Sequence, residues 1–232
     1  MENPELTFWK QWIKGPYPWL GSWKTCRDAY LSQETTPISS RKCEITEFCN
    51  SKEEWSKIYE SNVKDKTCVD VGVGCDGMVP FWKDAKKRIL IDPLVDEYHK
   101  LIQEESISQG EPDIDWFSGC ELVAIPAQEA CLKFRDSIDG TIVFRNAMDH
   151  DTDPVGLLKS VLSLAIPGCL LIFWSELIHK TEDVGHYSVP LNEADVMQLF
   201  SEFTIIRRFK AIHGPNYVCK SELGLLAIRN NK

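Results

Sequence analysis

No CxxC pair occurs anywhere in the sequence, and its nine cysteines are an odd number scattered along the chain. Structural zinc sites and disulfide frameworks use tighter, paired spacings, so these thiols read as reduced, as expected of a cytoplasmic protein. A basic, apolar leader is also missing: the chain starts Met1-Glu2-Asn3-Pro4-Glu5 and then alternates aromatics with lysines, so export is not expected. Long hydrophobic runs are missing too. The most apolar stretch, 161–174, carries Ser163, Pro167 and Gly168 and is too short to span ~30 Å of hydrocarbon, so a soluble chain without membrane insertion is expected. Low-complexity tracts and fixed-period repeats are absent, which excludes solenoids and disordered arrays.

Positive charge is in short supply. Lys and Arg number 26 against 35 Asp and Glu, a formal charge of −9. Residues 91–140 hold twelve of the acids and three of the bases, so the rest of the chain is neutral. A nucleic-acid backbone demands a basic face for counterion release, and no long Lys/Arg run supplies one; a nucleic-acid partner is therefore disfavoured. The acidic block itself reads as a solvated surface.

What the chain does have is apolar residues in alternating patterns. The hydrophobic class makes up 43% of 232 residues, enough to bury a core of one domain or one plus a small appendage. From Cys68 onward, short β-branched runs alternate with stretches of helical spacing, which predicts an α/β fold with a mostly parallel sheet. The expected strands are 67–71, 88–91, 121–125, 141–144, 169–174, 204–208 and 223–228, with helices at 93–103, 155–164 and 192–200. Asn192 is expected to cap the last of these, with Asp195 at its third position. Between the final two strands there is no helical pattern, so they should pair antiparallel at one edge.

Residues 1–60 differ in composition. Phe8, Trp9, Trp12, Tyr17, Trp19 and Trp23 crowd together, followed by a Ser/Thr-rich link and a helix at 52–61. This is expected to be a small helical N-terminal cap on a domain spanning 61–232. The cluster is either packing that pins the cap to the domain or a cover over the substrate.

The stretch Cys68-Val69-Asp70-Val71-Gly72-Val73-Gly74-Cys75-Asp76-Gly77 is a strand running into a glycine-rich turn. Gly72, Gly74 and Gly77 permit positive φ and close approach of a ligand to the backbone. Asp92, followed by Pro93, stands at the end of the second strand, where a carboxylate can grip ribose hydroxyls. This spacing alone also fits a dinucleotide site. Asp70 distinguishes the two, because a carboxylate in the mouth of the turn would repel a pyrophosphate and attract an ammonium and a sulfonium.

The arrangement resembles the class I S-adenosylmethionine-dependent methyltransferases, whose first motif is a strand followed by (D/E)xGxGxG; this chain reads DxGxGxxG, with one extra residue before Gly77. Further similarity lies in Gln128-Glu129 after the third strand, Ile138-Asp139 before the fourth, Asp153-Pro154, Ile166-Pro167-Gly168, and Asn146-Ala147-Met148-Asp149-His150. The resemblance covers roughly residues 62–232. It implies a seven-stranded Rossmann-like sheet flanked by helices with the last strand antiparallel, and S-adenosylmethionine as cofactor. It further implies cofactor contacts from Asp70, Gly72, Gly74, Gly77, Asp92, Pro93, Gln128, Glu129, Asn146 and Ala147, with His150 on the acceptor side.

Asp149-His150 is the candidate catalytic pair: an imidazole beside a carboxylate can take a proton from a hydroxyl as it is methylated. The alternative is a structural histidine that caps the following helix or bonds a loop carbonyl. His186 is a second candidate. Asp149, Asp151 and Asp153 alternate like a calcium loop, but Pro154 and Ser160 stand where an EF-hand needs glycine and glutamate, so no metal ligand is assigned. A magnesium-assisted variant is the minor alternative. The expected activity is methyl transfer to a small-molecule or glycan-like acceptor. Its rivals are a non-catalytic methyltransferase-like subunit and a nicotinamide-dependent oxidoreductase.

Overall fold

The computed structural model describes residues 3–14, 49, 51–75, 77–108, 110, 115–177, 191–209 and 222–231. Asn3 opens the first helix, α1 (Pro4–Lys14), by accepting from the backbone N–H of Glu5 at 2.9 Å, and Pro4 occupies the first helical position, where its missing N–H costs nothing. Helix α2 (Lys52–Asn62) is capped by Ser51, whose side chain accepts from Glu54 N. Strands β1 (Thr67–Val71), β2 (Lys87–Ile91) and β3 (Glu121–Val123) follow, with α3 (Val95–Ser108) between the last two. Then come α4 (Ala127–Lys133), β4 (Thr141–Arg145), α5 (Pro154–Leu162), β5 (Leu170–Glu176), α6 (Glu193–Leu199), β6 (Phe203–Phe209) and β7 (Glu222–Arg229).

The strands form one seven-stranded sheet in the order β3-β2-β1-β4-β5-β7-β6. The first five pair in parallel, while β7 is antiparallel to both β5 and β6. Every residue of β5 is buried, as a central strand covered on both faces requires, whereas β6 alternates at the edge. A register shift between Ile205 and Arg207 interrupts that edge.

Sequence pattern and structure agree on all seven strands to within about two residues. The third strand stops at Val123 because Pro126 opens α4, a helix the pattern did not reveal. The Asn192–Asp195 capping box on α6 is present with both of its hydrogen bonds. A larger departure lies between β1 and β2. Among the described residues of that connection there is no α-helix, only a 3-10 turn at Val79–Phe81.

The strand order runs outward from β1 to β3, then resumes at β4 on the other side of β1. Right-handed crossovers therefore put the early helices on one face and the late helices on the other. Alternate residues of one strand, such as Val69 and Cys68, accordingly belong to two separate hydrophobic clusters. Trp12 and Ile13 of α1 and Trp55 and Tyr59 of α2 join the cluster that includes Cys68, Leu90 and Val143. Both N-terminal helices thus contribute to the core on that face of the sheet.

Candidate active site

In open α/β sheets, ligands settle at the carboxyl ends of the strands where the order reverses, here between β1 and β4. Gly72 and Ala147 meet at this point, and a Cβ on Gly72 would fall 2.4 Å from that of Ala147. Gly72 and Gly74 have φ of +68° and +55°, the left-handed region expected of the turn. Their close neighbours are protein atoms. A Cβ on Gly74 would lie 2.5 Å from the ring of Trp9, so helix α1 rests on the glycine turn.

Gly77 has a different reason to be glycine. A Cβ there would strike Val73 at 2.3 Å and lie 3.0 Å from Asp70 Oδ2. Without one, the Asp70 carboxylate reaches under the loop and accepts from Met78 N at 2.8 Å and Val79 N at 3.3 Å. Asp70 is 2% exposed. Its expected orientation into the mouth of the turn is thus corrected: one oxygen braces the turn from below. Two N–H groups just beyond the turn, those of Met78 and Val79, are therefore spent on a carboxylate, and among the described residues of the β1–β2 connection no α-helix offers its N-terminus to a pyrophosphate.

Asp92 closes β2, and its carboxylate accepts from Leu94 N at 2.9 Å, with the Gly74 backbone close by. Burial pushes the Asp92 carboxyl up to about 6, with smaller contributions from Glu5 and Glu97, and the two backbone donors act in the opposite sense. Pro93 is exposed beyond it. Tyr98 of α3 is buried beside Trp9, their ring centroids 6.0 Å apart, and burial also drives its hydroxyl upward.

From β4 the chain passes through Asn146, a non-glycine residue at φ +47°, and Ala147 into a 3-10 turn at Met148–His150. Strain of this sort collects at functional sites. Asp149 is 1% exposed. Its Oδ1 lies 3.8 Å from His150 Nε2, beyond hydrogen-bond length, whereas Glu5 Oε2 lies 3.3 Å from His150 Nδ1. Of these two carboxylates, the one nearer His150 therefore comes from helix α1. Helix α5 takes its cap from Asp153, which accepts from Gly156 N, so His150 does not cap it.

Gln128, in the first turn of α4, donates to Asp151 Oδ2 at 2.7 Å, and Glu129 is exposed. Asp139 accepts from Thr67 N at 2.8 Å, which ties it to the start of β1. His186, Tyr17, Trp19 and Trp23 lie outside the described residues.

Glu5 escaped the sequence reading, and Trp9 entered it only as one of an aromatic cluster, although a signal was present. Asn3-Pro4-Glu5 is a helix start, and Leu6, Trp9 and Ile13 repeat at helical spacing. What no local pattern carries is where that helix docks.

The overall likeness to solved structures is decisive for the fold. A methyltransferase candidate from Bacillus halodurans C-125 superposes with a TM-score of 0.53 at 13% identity, covering 78% of this chain and 100% of that one. The N-methyltransferase NodS from Bradyrhizobium japonicum WM9, in complex with S-adenosyl-L-homocysteine, gives 0.51 at 14% identity, covering 88% and 99%. This is the class I methyltransferase fold. No family model matches the sequence, and no curated relative does either. The β1–β2 connection, with no α-helix among its described residues, sets this version of the methyltransferase fold apart from a regular alternation of strand and helix. No described helix is long and apolar enough to cross a membrane.

Proposed function

We propose that the chain binds S-adenosylmethionine at the carboxyl ends of β1, β2 and β4 and transfers its methyl group to a small-molecule or glycan-like acceptor. The observation that carries this reading is Asp92. It is a buried carboxylate at the end of β2, beside a glycine turn braced by the buried Asp70 carboxylate through the N–H groups of Met78 and Val79. Such a site suits a ligand with ribose hydroxyls and a cationic tail and opposes a pyrophosphate, which also counts against the nicotinamide reading.

Asp92 would hold the ribose, with Pro93 behind it. Gly72, Gly74 and Gly77 would shape the turn, and Asn146, Ala147, Gln128 and Glu129 would border the cofactor from β4 and α4. The cofactor supplies a methyl group on a sulfonium, already activated toward displacement. The chain then has to orient the acceptor, exclude water and receive a proton. His150, 29% exposed in its side chain, is the proposed proton acceptor, and Asp149 helps fix the turn that carries it. Helix α1, whose Trp9 rests on Gly74, acts in this reading as a cover over the site.

Calorimetry with S-adenosylhomocysteine tests the proposal. Binding is expected, and Asp92→Ala should weaken it by about 1.5–3 kcal/mol, the usual worth of hydrogen bonds to a charged group. An affinity unchanged by Asp92→Ala would remove the assignment of that residue. The packing of Trp9 on Gly74 favours a second reading, a methyltransferase-like subunit without turnover. Cofactor binding with no methyl transfer across a broad acceptor screen would select it.

A further inference from the structure

We infer that Glu5, on helix α1, is a positioning residue for His150, holding the imidazole with its proton on Nδ1 so that Nε2 is the nitrogen that accepts one. The purpose of this arrangement rests on the methyl transfer proposed above; its geometry does not.

Glu5 is fixed at three points. Its own backbone N–H donates to Asn3 at 2.9 Å, which sets it in the first turn of α1. Its Oε1 accepts from the Trp9 indole at 2.7 Å, and Trp9 in turn sits on Gly74. Its Oε2 is then left to face His150 Nδ1 at 3.3 Å. A carboxylate can only accept, so at this distance it favours the neutral ring whose proton is on Nδ1 over the one that turns an Nδ1 lone pair toward it. Which ring nitrogen carries the proton follows from the bond that the other group makes with it, and here that group belongs to the N-terminal helix.

Asp149 cannot do the same job from its observed place, since 3.8 Å separates its Oδ1 from Nε2, the opposite nitrogen. Seating α1 on the glycine turn and setting the histidine tautomer are therefore one event. A chain in which α1 is lifted would keep its sheet and lose the orientation of His150.

The test reads the ring directly. The protein is labelled with nitrogen-15 in its five histidines, and His150→Gln identifies the signals. In the wild-type chain without cofactor, His150 is expected as the Nδ1–H tautomer. Glu5→Ala should shift the ring toward Nε2–H, while Glu5→Gln, whose amide oxygen still accepts, should largely restore it. Once an acceptor is known, Glu5→Ala should lower kcat about 10-fold, with the cofactor Kd and acceptor KM changed less than about 3-fold, as loss of an outer orienting partner does. An Nε2–H ring in the wild-type protein would overturn the inference. So would ring signals that Glu5→Ala leaves unchanged while near-ultraviolet circular dichroism remains native. If Glu5→Ala releases α1 altogether, Glu5→Gln decides: an Nδ1–H ring with α1 seated supports the assignment, and an Nε2–H ring with α1 seated overturns it. Failure to bind S-adenosylhomocysteine would remove the cofactor reading and leave the tautomer result standing.

Discussion

One face of the sheet is packed with Leu157, Leu158, Val161, Phe173, Phe200 and their aliphatic neighbours, whereas the other buries Trp12, Trp55, Trp82 and Trp116 with Tyr59 and Tyr98. The first face is covered by α4, α5 and α6, each lying directly after the strand it helps to cover. The second is covered by α1 and α2 from the N-terminal segment and by α3, and among the described residues it has no α-helix between β1 and β2. Large rings make up much of the cluster on that face. The 3-10 turn brings in Val79, Pro80 and Phe81, all buried, with Trp82 directly after it. A tryptophan delivers more apolar area per residue than any aliphatic side chain, so a short connection can still close a core. The cost is polar: the indole N–H groups of Trp12 and Trp82 are buried with no hydrogen-bond partner among the described residues.

If the aromatic face is an integral half of the core, truncating it should hurt as much as truncating the aliphatic half. Trp55 is 2% exposed and lies 6.0 Å from Trp82 and 6.1 Å from Tyr59 between ring centroids. Trp55→Ala is expected to cost about 3–5 kcal/mol, comparable to Phe173→Ala on the opposite face. Chemical denaturation would show one cooperative transition moved to lower denaturant in both variants. A second, earlier transition confined to the Trp55 variant would instead mean that the aromatic face melts by itself.

The next effect separates the faces by pH. Asp92 lies at the edge of the aromatic face, and burial raises its carboxyl from 3.8 to about 6 in the folded chain. A carboxyl raised on folding contributes stability that is complete below its unfolded value and is lost as pH rises through its folded value. Between about pH 4 and 6, therefore, folding should weaken as Asp92 ionises in the unfolded chain first. Asp92→Asn removes the ionisation, so it should match the wild type near pH 4 and exceed it by up to about 3 kcal/mol at pH 8. Thermal melts of both proteins across this range would check it; a constant difference would mean that Asp92 is not the titrating group. The same variant should bind S-adenosylhomocysteine less tightly, so that stability and binding move in opposite directions.

These contrasts also explain what the sequence could reveal. Strands β1 to β7 were legible because each is a short β-branched or apolar run bounded by turn residues, and the aliphatic face follows from local alternation alone. Asp92 and the Gly72/Gly74 turn were legible as a spacing. The direction of Asp70 was not, since a carboxylate two residues before a glycine can point up at a ligand or down at Met78 and Val79, and Gly77 decides which. Nor was the partner of His150, because Glu5 lies 145 residues away in the chain and meets it only through the docking of α1.

The smallest effect concerns how firmly α1 is seated. Cys75, fully buried, follows Gly74 in the turn on which Trp9 rests, and Cys169 is equally buried in the aliphatic cluster. Burial also pushes the Cys169 thiol up, so a thiol reagent reaches it only through opening of the structure. Trp9 is only partly buried, so Trp9→Ala should cost less than about 2 kcal/mol globally, near the lower end for large-to-small changes. Locally it removes the cover of the turn. Labelling of the native protein, followed by mass spectrometry of the cysteine peptides, should then show Cys75 reacting several-fold faster in Trp9→Ala while Cys169 keeps its wild-type rate, because local opening and global unfolding are separate routes. Equal acceleration at both cysteines would mean that Trp9 supports the whole core, and the N-terminal helix would then be structure throughout, with no independent motion over the site.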